Sequence, residues 1–131
     1  MSENFQKVKA YLQELELPTE TEDEAEELVV VNDDERGIHN LIVDCEAPIL
    51  ILEQAILPIA ANPGDLYKRL LEINRTLIHG AFAIDLETGT VLFRDTLRLD
   101  TLDRSELESS VNALSLAMAE NAEELISFSH H

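Results

Sequence analysis

Apolar residues fall at Phe5, Val8, Leu12 and Leu15, spacings that lay one stripe along a helix and predict a helix over residues 3–16. Lys7, Lys9 and Glu14 take its other faces, and Pro18 marks its stop. From Thr19 to Glu27 the pattern disappears into acids and threonines. With so little apolar surface to bury, residues 19–27 are expected to be a flexible acidic linker. The period then changes to that of strands. Leu28-Val29-Val30-Val31 is a β-branched run closed by the turn-forming composition of Asn32 to Gly37. Ile38 to Cys45 returns, with His39, Leu41, Val43 and Cys45 as the expected core face. Ile49 to Leu57 follows a break at Glu46-Ala47-Pro48 and is apolar on both sides at Ile49, Leu50, Ile51 and Leu52. A central strand, or one covered by a partner, has that pattern.

The second half repeats the alternation of periods. Asn62 as cap, Pro63 at the first helical position and Asp65 near the positive dipole end predict a helix start. Leu66, Leu70, Ile73 and Leu77 give its stripe, and Gly80 is expected as its C′ residue. Residues 81–86 and 91–97 flank Glu87-Thr88-Gly89-Thr90 as a hairpin. Asp103, with Glu106 three residues on, opens a last helix carrying Leu107, Val111, Leu114, Met118 and Leu125 to about Ser127. The chain therefore reads as a single α+β domain over residues 1–131, in the order α-βββ-α-ββ-α. Residues 28–127 form the sheet and two of the helices, with the sheet antiparallel and the helices packed on one of its faces.

Charge narrows the functions open to such a domain. The 131 residues hold 27 Asp and Glu against 9 Lys and Arg, a formal net charge of -18, and Lys68-Arg69 is the only run of adjacent cations. Nucleic-acid binding relies on cations that displace counterions from phosphates, so no nucleic acid is expected as a partner, nor an anionic membrane. No run reaches the roughly 20 apolar residues of a membrane span. The N-terminus lacks the pattern of a signal peptide, and a cytoplasmic location is expected. Cys45, the one cysteine, leaves no disulfide framework.

Candidate chemistry is sparse. His39 and Cys45 lie on one predicted strand face, but six residues at about 3.3 Å each hold them roughly 20 Å apart, too far to share a metal ion. His130 and His131 sit at a terminus expected to fray. Asn32 to Gly37 superficially resembles the start of a calcium loop, without its alternating ligands or its glutamate at position twelve. Cys45, between Asp44 and Glu46, should have a raised pKa rather than an activated thiol. Asp85 and Asp95 could approach on the hairpin, but in so acidic a chain a solvated face explains them. No nucleophile, phosphate-binding or dinucleotide motif is present. An enzyme is not expected, and neither catalytic residues, metal nor cofactor is assigned.

Leu77 to Asp85, then Val91 to Leu97, resemble the YbjN family of bacterial proteins, labelled sensory-transduction regulators or Tir-chaperone-like proteins. Leu52 to Pro58 upstream and Leu102 to Leu116 downstream continue the resemblance, which spans most of residues 28–126. It implies a fold like that of the type III secretion chaperones, commonly homodimeric, which hold an extended segment of a client protein. It brings no catalytic residues. The expected function is thus a non-enzymatic protein-binding module, working as a homodimer on an unidentified client. A small-ligand-sensing regulatory domain, with its pocket between sheet and helices, is the alternative. Ile49, Leu50, Ile51 and Leu52 are the candidate protein-binding or dimer surface, although the first helix folded back over the sheet would also explain them.

Overall fold

A computed structural model describes residues 2–130, without the side chain of His130. Helix α1 (Glu3–Glu14) is followed by strands β1 (Thr19–Asp23), β2 (Leu28–Asp33), β3 (Ile38–Glu46) and β4 (Ile49–Pro58). Helix α2 (Leu66–Asn74), the hairpin β5 (Ala81–Asp85) and β6 (Thr90–Arg98), and helix α3 (Arg104–Ser127) complete the chain. All neighbouring strands are antiparallel, in the spatial order β1-β2-β3-β4-β6-β5. The α+β architecture with an antiparallel sheet is the one the periodicity predicts. The sheet has six strands, however, not five.

The additional strand is the acidic segment expected to be a linker. Thr21, Glu22 and Asp23 of β1 lie opposite Val30, Val29 and Leu28 of β2. All five β1 residues are exposed. An edge strand needs only backbone pairing with its neighbour, so low hydrophobicity did not forbid it. Charged side chains along an edge also discourage further strands from adding there. Beyond it, the Asp23 side chain accepts from the Glu26 N–H at 3.0 Å, and Glu27 turns the chain with φ of 55°.

The core lies on one side of the sheet, where all three helices pack. Phe5, Val8 and Leu12 come from α1, Leu66, Leu70 and Ile73 from α2, and Leu107, Val111, Leu114, Ala117 and Leu125 from α3. Strand residues of one parity meet them: Val29 and Val31, Leu41, Val43 and Cys45, Leu50 and Leu52, Phe82, Val91 and Phe93. Two helices start as sequence and capping chemistry require. The Ser2 hydroxyl accepts from the Phe5 N–H at 3.1 Å, and the Asp103 carboxylate from the Glu106 N–H at 2.7 Å.

Two local expectations fail for identifiable reasons. His39 is exposed, not in the core, because Asn40 takes φ of 51° and breaks the alternation, so Ile38 is buried instead. Buried Gln54 fastens this irregular turn from the core side, accepting from the His39 N–H (2.9 Å) and donating to the Gly37 carbonyl (3.1 Å). Helix α2 starts later than the Asn62–Pro63 signal predicts and stops short of Leu77, the last residue of its stripe. Gly64, at φ of 59°, delays its start to Leu66, so neither Asn62 nor Pro63 opens it. Asn74 ends it, and its side chain turns to the Phe82 backbone, accepting from N–H (2.8 Å) and donating to C=O (3.1 Å). Gly80 therefore does not cap the helix. It leads into β5 at φ of 73°, where an added Cβ would lie 2.5 Å from Phe93 Cζ.

Candidate functional site

With α1, α2 and α3 on one side, no helix among the described residues covers the opposite side of the sheet. The registers fix what stands there. Leu28 and Val30 of β2 lie opposite Asp44 and Ile42 of β3, and Asp44 and Glu46 lie opposite Ile51 and Ile49 of β4. Farther along, Ile51, Glu53 and Ala55 meet Thr96, Arg94 and Leu92 of β6. The face is thus a mostly aliphatic field crossed by acids. Ile42 is 41% exposed, and Leu28, Val30, Ile49, Ile51 and Leu92 are half-buried by one another.

This geometry divides the four residues expected to form a surface. Leu50 and Leu52 point into the core, at 0% and 3% exposure, while Ile49 and Ile51 stand on the bare face. The reason is the two-residue period of a strand hydrogen-bonded on both sides, by β3 and β6. Only alternate residues of the run can therefore meet a partner.

Asp44 stands in the middle of the bare face. Its Oδ1 is buried and has no hydrogen-bond partner. Loss of water around the carboxyl raises its pKa to about 6, and the charges of Glu46, Glu26 and Glu53 push the same way. The arginines on this face are engaged elsewhere, Arg94 with Glu53 at 3.7 Å and Arg98 with Asp100 at 3.0 Å. Among the described residues, no cation lies in ion-pair range of Asp44.

The remaining chemical candidates are dispersed. Cys45 is buried on the core face, and burial, followed by the charges of Glu27, Asp44 and Glu46, raises its thiol to about 11, so it stays protonated at neutral pH. Asp85 lies opposite Thr90, five residues along β6 from Asp95, which separates the two by roughly 16 Å. Asp95 instead faces α3, where it accepts from the Ser110 hydroxyl at 2.7 Å. That contact between strand and helix had no sequence signal, since Ser110 is one of several serines in the helix. Of the segment expected to be a plain turn at residues 32–37, Asn32 and Asp33 end β2, and Asp34–Arg36 form a short 3₁₀ turn closed by Gly37 at φ of 73°. No group of three or more metal-ligating side chains occurs among the described residues, and no helix there is long and apolar enough to cross a membrane.

Two further features lie on the helix side. A groove of about 430 Å³ between α3 and the segment after α2 is lined by Leu77, Ile78, Ala113 and Leu116, with His79 and Glu120 at its polar margin. It does not lie between sheet and helices, where the small-ligand alternative was expected to have its pocket. Next to it, Leu71 of α2 is 72% exposed and Ile78 is 89% exposed, with Tyr67 and Ile84 also reaching solvent. Arg69 fastens this helix to α3 through two bonds to Glu124, at 2.6 and 3.0 Å.

Comparison with known proteins agrees with this architecture. The family model CesT_Tir_1 matches residues 1–131. Similar solved structures include a chain of the HopA1–SchA chaperone–effector complex, 15% identical with a TM-score of 0.68, covering 94% of this chain and 98% of that one. YbjN from E. coli is 13% identical with a TM-score of 0.69, each chain being 92% covered. A chain of the heterodimeric ExoU–SpcU complex from the type III secretion system of Pseudomonas aeruginosa is 15% identical with a TM-score of 0.60, covering 92% of this chain and 96% of that one. Likeness at such identities establishes the fold alone. Among curated proteins, none matches this chain.

The position of Asp44 has a measurable consequence for stability. Its folded pKa of about 6 exceeds its ordinary 3.8, so between those values the folded chain holds a proton that the unfolded chain releases. This group therefore stabilises the fold as pH falls from 6 to 4 and opposes it at neutral pH. Asp44→Asn should raise the melting temperature at pH 7.5 and flatten its dependence on pH between 4 and 6. A lower melting temperature at pH 7.5, with the wild-type pH slope retained, would contradict the burial of this carboxyl.

Proposed function

We propose that this chain, which belongs to the CesT_Tir_1 family, is a non-enzymatic protein-binding module that holds a segment of a client protein and works as a homodimer. The observation that carries the reading is the bare sheet face, where Leu28, Val30, Ile42, Ile49, Ile51 and Leu92 form a field that no helix or strand among the described residues covers. An apolar surface of this kind on a soluble domain marks a place for a partner. The chaperone–effector complexes among the similar structures support a protein as that partner. Holding requires contact and strand-like complementarity, not bond making, and the dispersed acids, the protonated Cys45 and the engaged Asp95 fit that role.

The second copy has a different place to bind. Tyr67, Leu71, Ile78 and Ile84 expose apolar surface at the α2–β5 end of the molecule. Strand β5 itself is poorly suited to pairing with a further strand, because Asn74 already takes both the N–H and the C=O of Phe82. Helix and side-chain contact, rather than a continued sheet, is therefore the expected seam. Separate surfaces would leave the bare face of each protomer free for a client.

Two measurements test these assignments separately. Sedimentation at tens of micromolar should show a species of twice 14.7 kDa, and Leu71→Glu should convert it to a monomer that keeps the wild-type far-ultraviolet circular dichroism, with a melting temperature no longer dependent on protein concentration. A wild-type monomer at that concentration would remove the dimer. A photo-crosslinking residue in place of Ile42 should trap protein from native lysate far more efficiently than one in place of exposed Leu86. Equal trapping at the two positions would count against the bare face as the holding surface.

A further inference from the structure

The bare face is not uniformly apolar, and its one irregularity bears on the chemistry of the client. Asp44 lies between Leu28 on β2 and Ile51 on β4, with an Oδ1 that is buried and receives no hydrogen bond. An acceptor in that state is costly to keep, because water has been removed and nothing has replaced it. The surrounding charge makes the vacancy selective. Glu46 shares the strand and the face, Glu53 stands on β4, and Glu26 approaches from the β1–β2 turn. The cations that might answer them from β6 are already paired, Arg94 with Glu53 and Arg98 with Asp100. An incoming anionic segment would add to this repulsion and a purely apolar one would leave it unanswered, whereas an ammonium or guanidinium group would supply the opposite charge that the face lacks.

We infer that the segment held on this face is cationic as well as apolar: an extended stretch whose aliphatic side chains lie on Leu28, Val30, Ile42 and Ile51 while a Lys or Arg reaches Asp44. This inference rests on the holding function proposed above and specifies its partner. Alternate residues of an extended segment project to one side at roughly 7 Å spacing, so a basic residue flanked by aliphatic ones two positions away matches a carboxylate set among aliphatic strand residues. Asp44 fixes the position of the segment, and the aliphatic residues contribute most of its contact area. The net charge of -18 also favours capture of cationic segments in general, and the test must separate that diffuse attraction from the local one.

Synthetic octapeptides supply the probes: one alternating valine and lysine, one valine and serine, and one valine and glutamate. Titrated into the full chain and followed by methyl NMR, the valine–lysine peptide should perturb Val30, Ile42 and Ile51 and bind at least ten-fold more tightly than the valine–serine peptide. The valine–glutamate peptide should not bind. Asp44→Asn should reduce valine–lysine affinity at least five-fold, whereas Glu35→Gln, which removes the same charge from the distant β2–β3 turn, should change it less than two-fold. Equal effects of the two substitutions would show that only diffuse charge is at work and overturn the inference. Equal binding of the valine–lysine and valine–serine peptides at Ile42 and Ile51 would also overturn it, while leaving the holding function standing. Failure of every peptide to perturb the bare face would remove both.

Discussion

Three helices pack against one side of a six-stranded sheet whose middle is occupied by β4, a strand hydrogen-bonded along both edges. Side chains on such a strand must alternate between the two faces, and the alternation decides which residues are core and which are surface. Leu50 and Leu52 accordingly lie in the core with the helices, and Ile49 and Ile51 stand half-buried on the other face, beside their strand neighbours only. The proposed holding surface depends on that division. Were a helix packed on the second face, β4 would be an ordinary buried strand and its continuous hydrophobicity would need no partner.

Most of the architecture was legible because it is written in periodicity. The stripe of α1, the Asp103 cap of α3 and the antiparallel hairpin of β5 and β6 are all local patterns, and each occurs within two residues of where the pattern places it. The failures have a common cause in backbone pairing and backbone conformation. Strand β1 is stabilised by hydrogen bonds to β2, not by its own side chains, so the composition Thr-Glu-Thr-Glu-Asp resembled a linker. The positive φ of Asn40 put Ile38 in place of His39 at the start of the core face of β3, leaving Leu41, Val43 and Cys45 as expected, and that of Gly64 delayed the start of α2. None of these conformations has a period to detect.

The candidate site was only half legible for the same reason. The run from Ile49 to Leu52 is apolar on both sides, as a central strand can be, but which pair faces outward is a property of the layering. Asp44 carried no signal at all. In a chain with 27 acidic residues one more carboxylate is unremarkable, and only the register that sets it between Leu28 and Ile51 distinguishes it. The acids also do different things in different places. Along β1 they guard an exposed edge, around Asp44 they bias a surface toward cations, and in the exposed turns they keep the chain dissolved.

The division of β4 can be measured directly by comparing two truncations one residue apart, Leu52→Ala and Ile51→Ala, in urea unfolding. Leu52, packed under the helices, should cost about 2–5 kcal/mol when its side chain is cut back to a methyl. Ile51, on the uncovered face, should cost less than about half as much. Equal costs, or a larger one at Ile51, would show that both faces of the strand are packed in the isolated chain and would contradict the account.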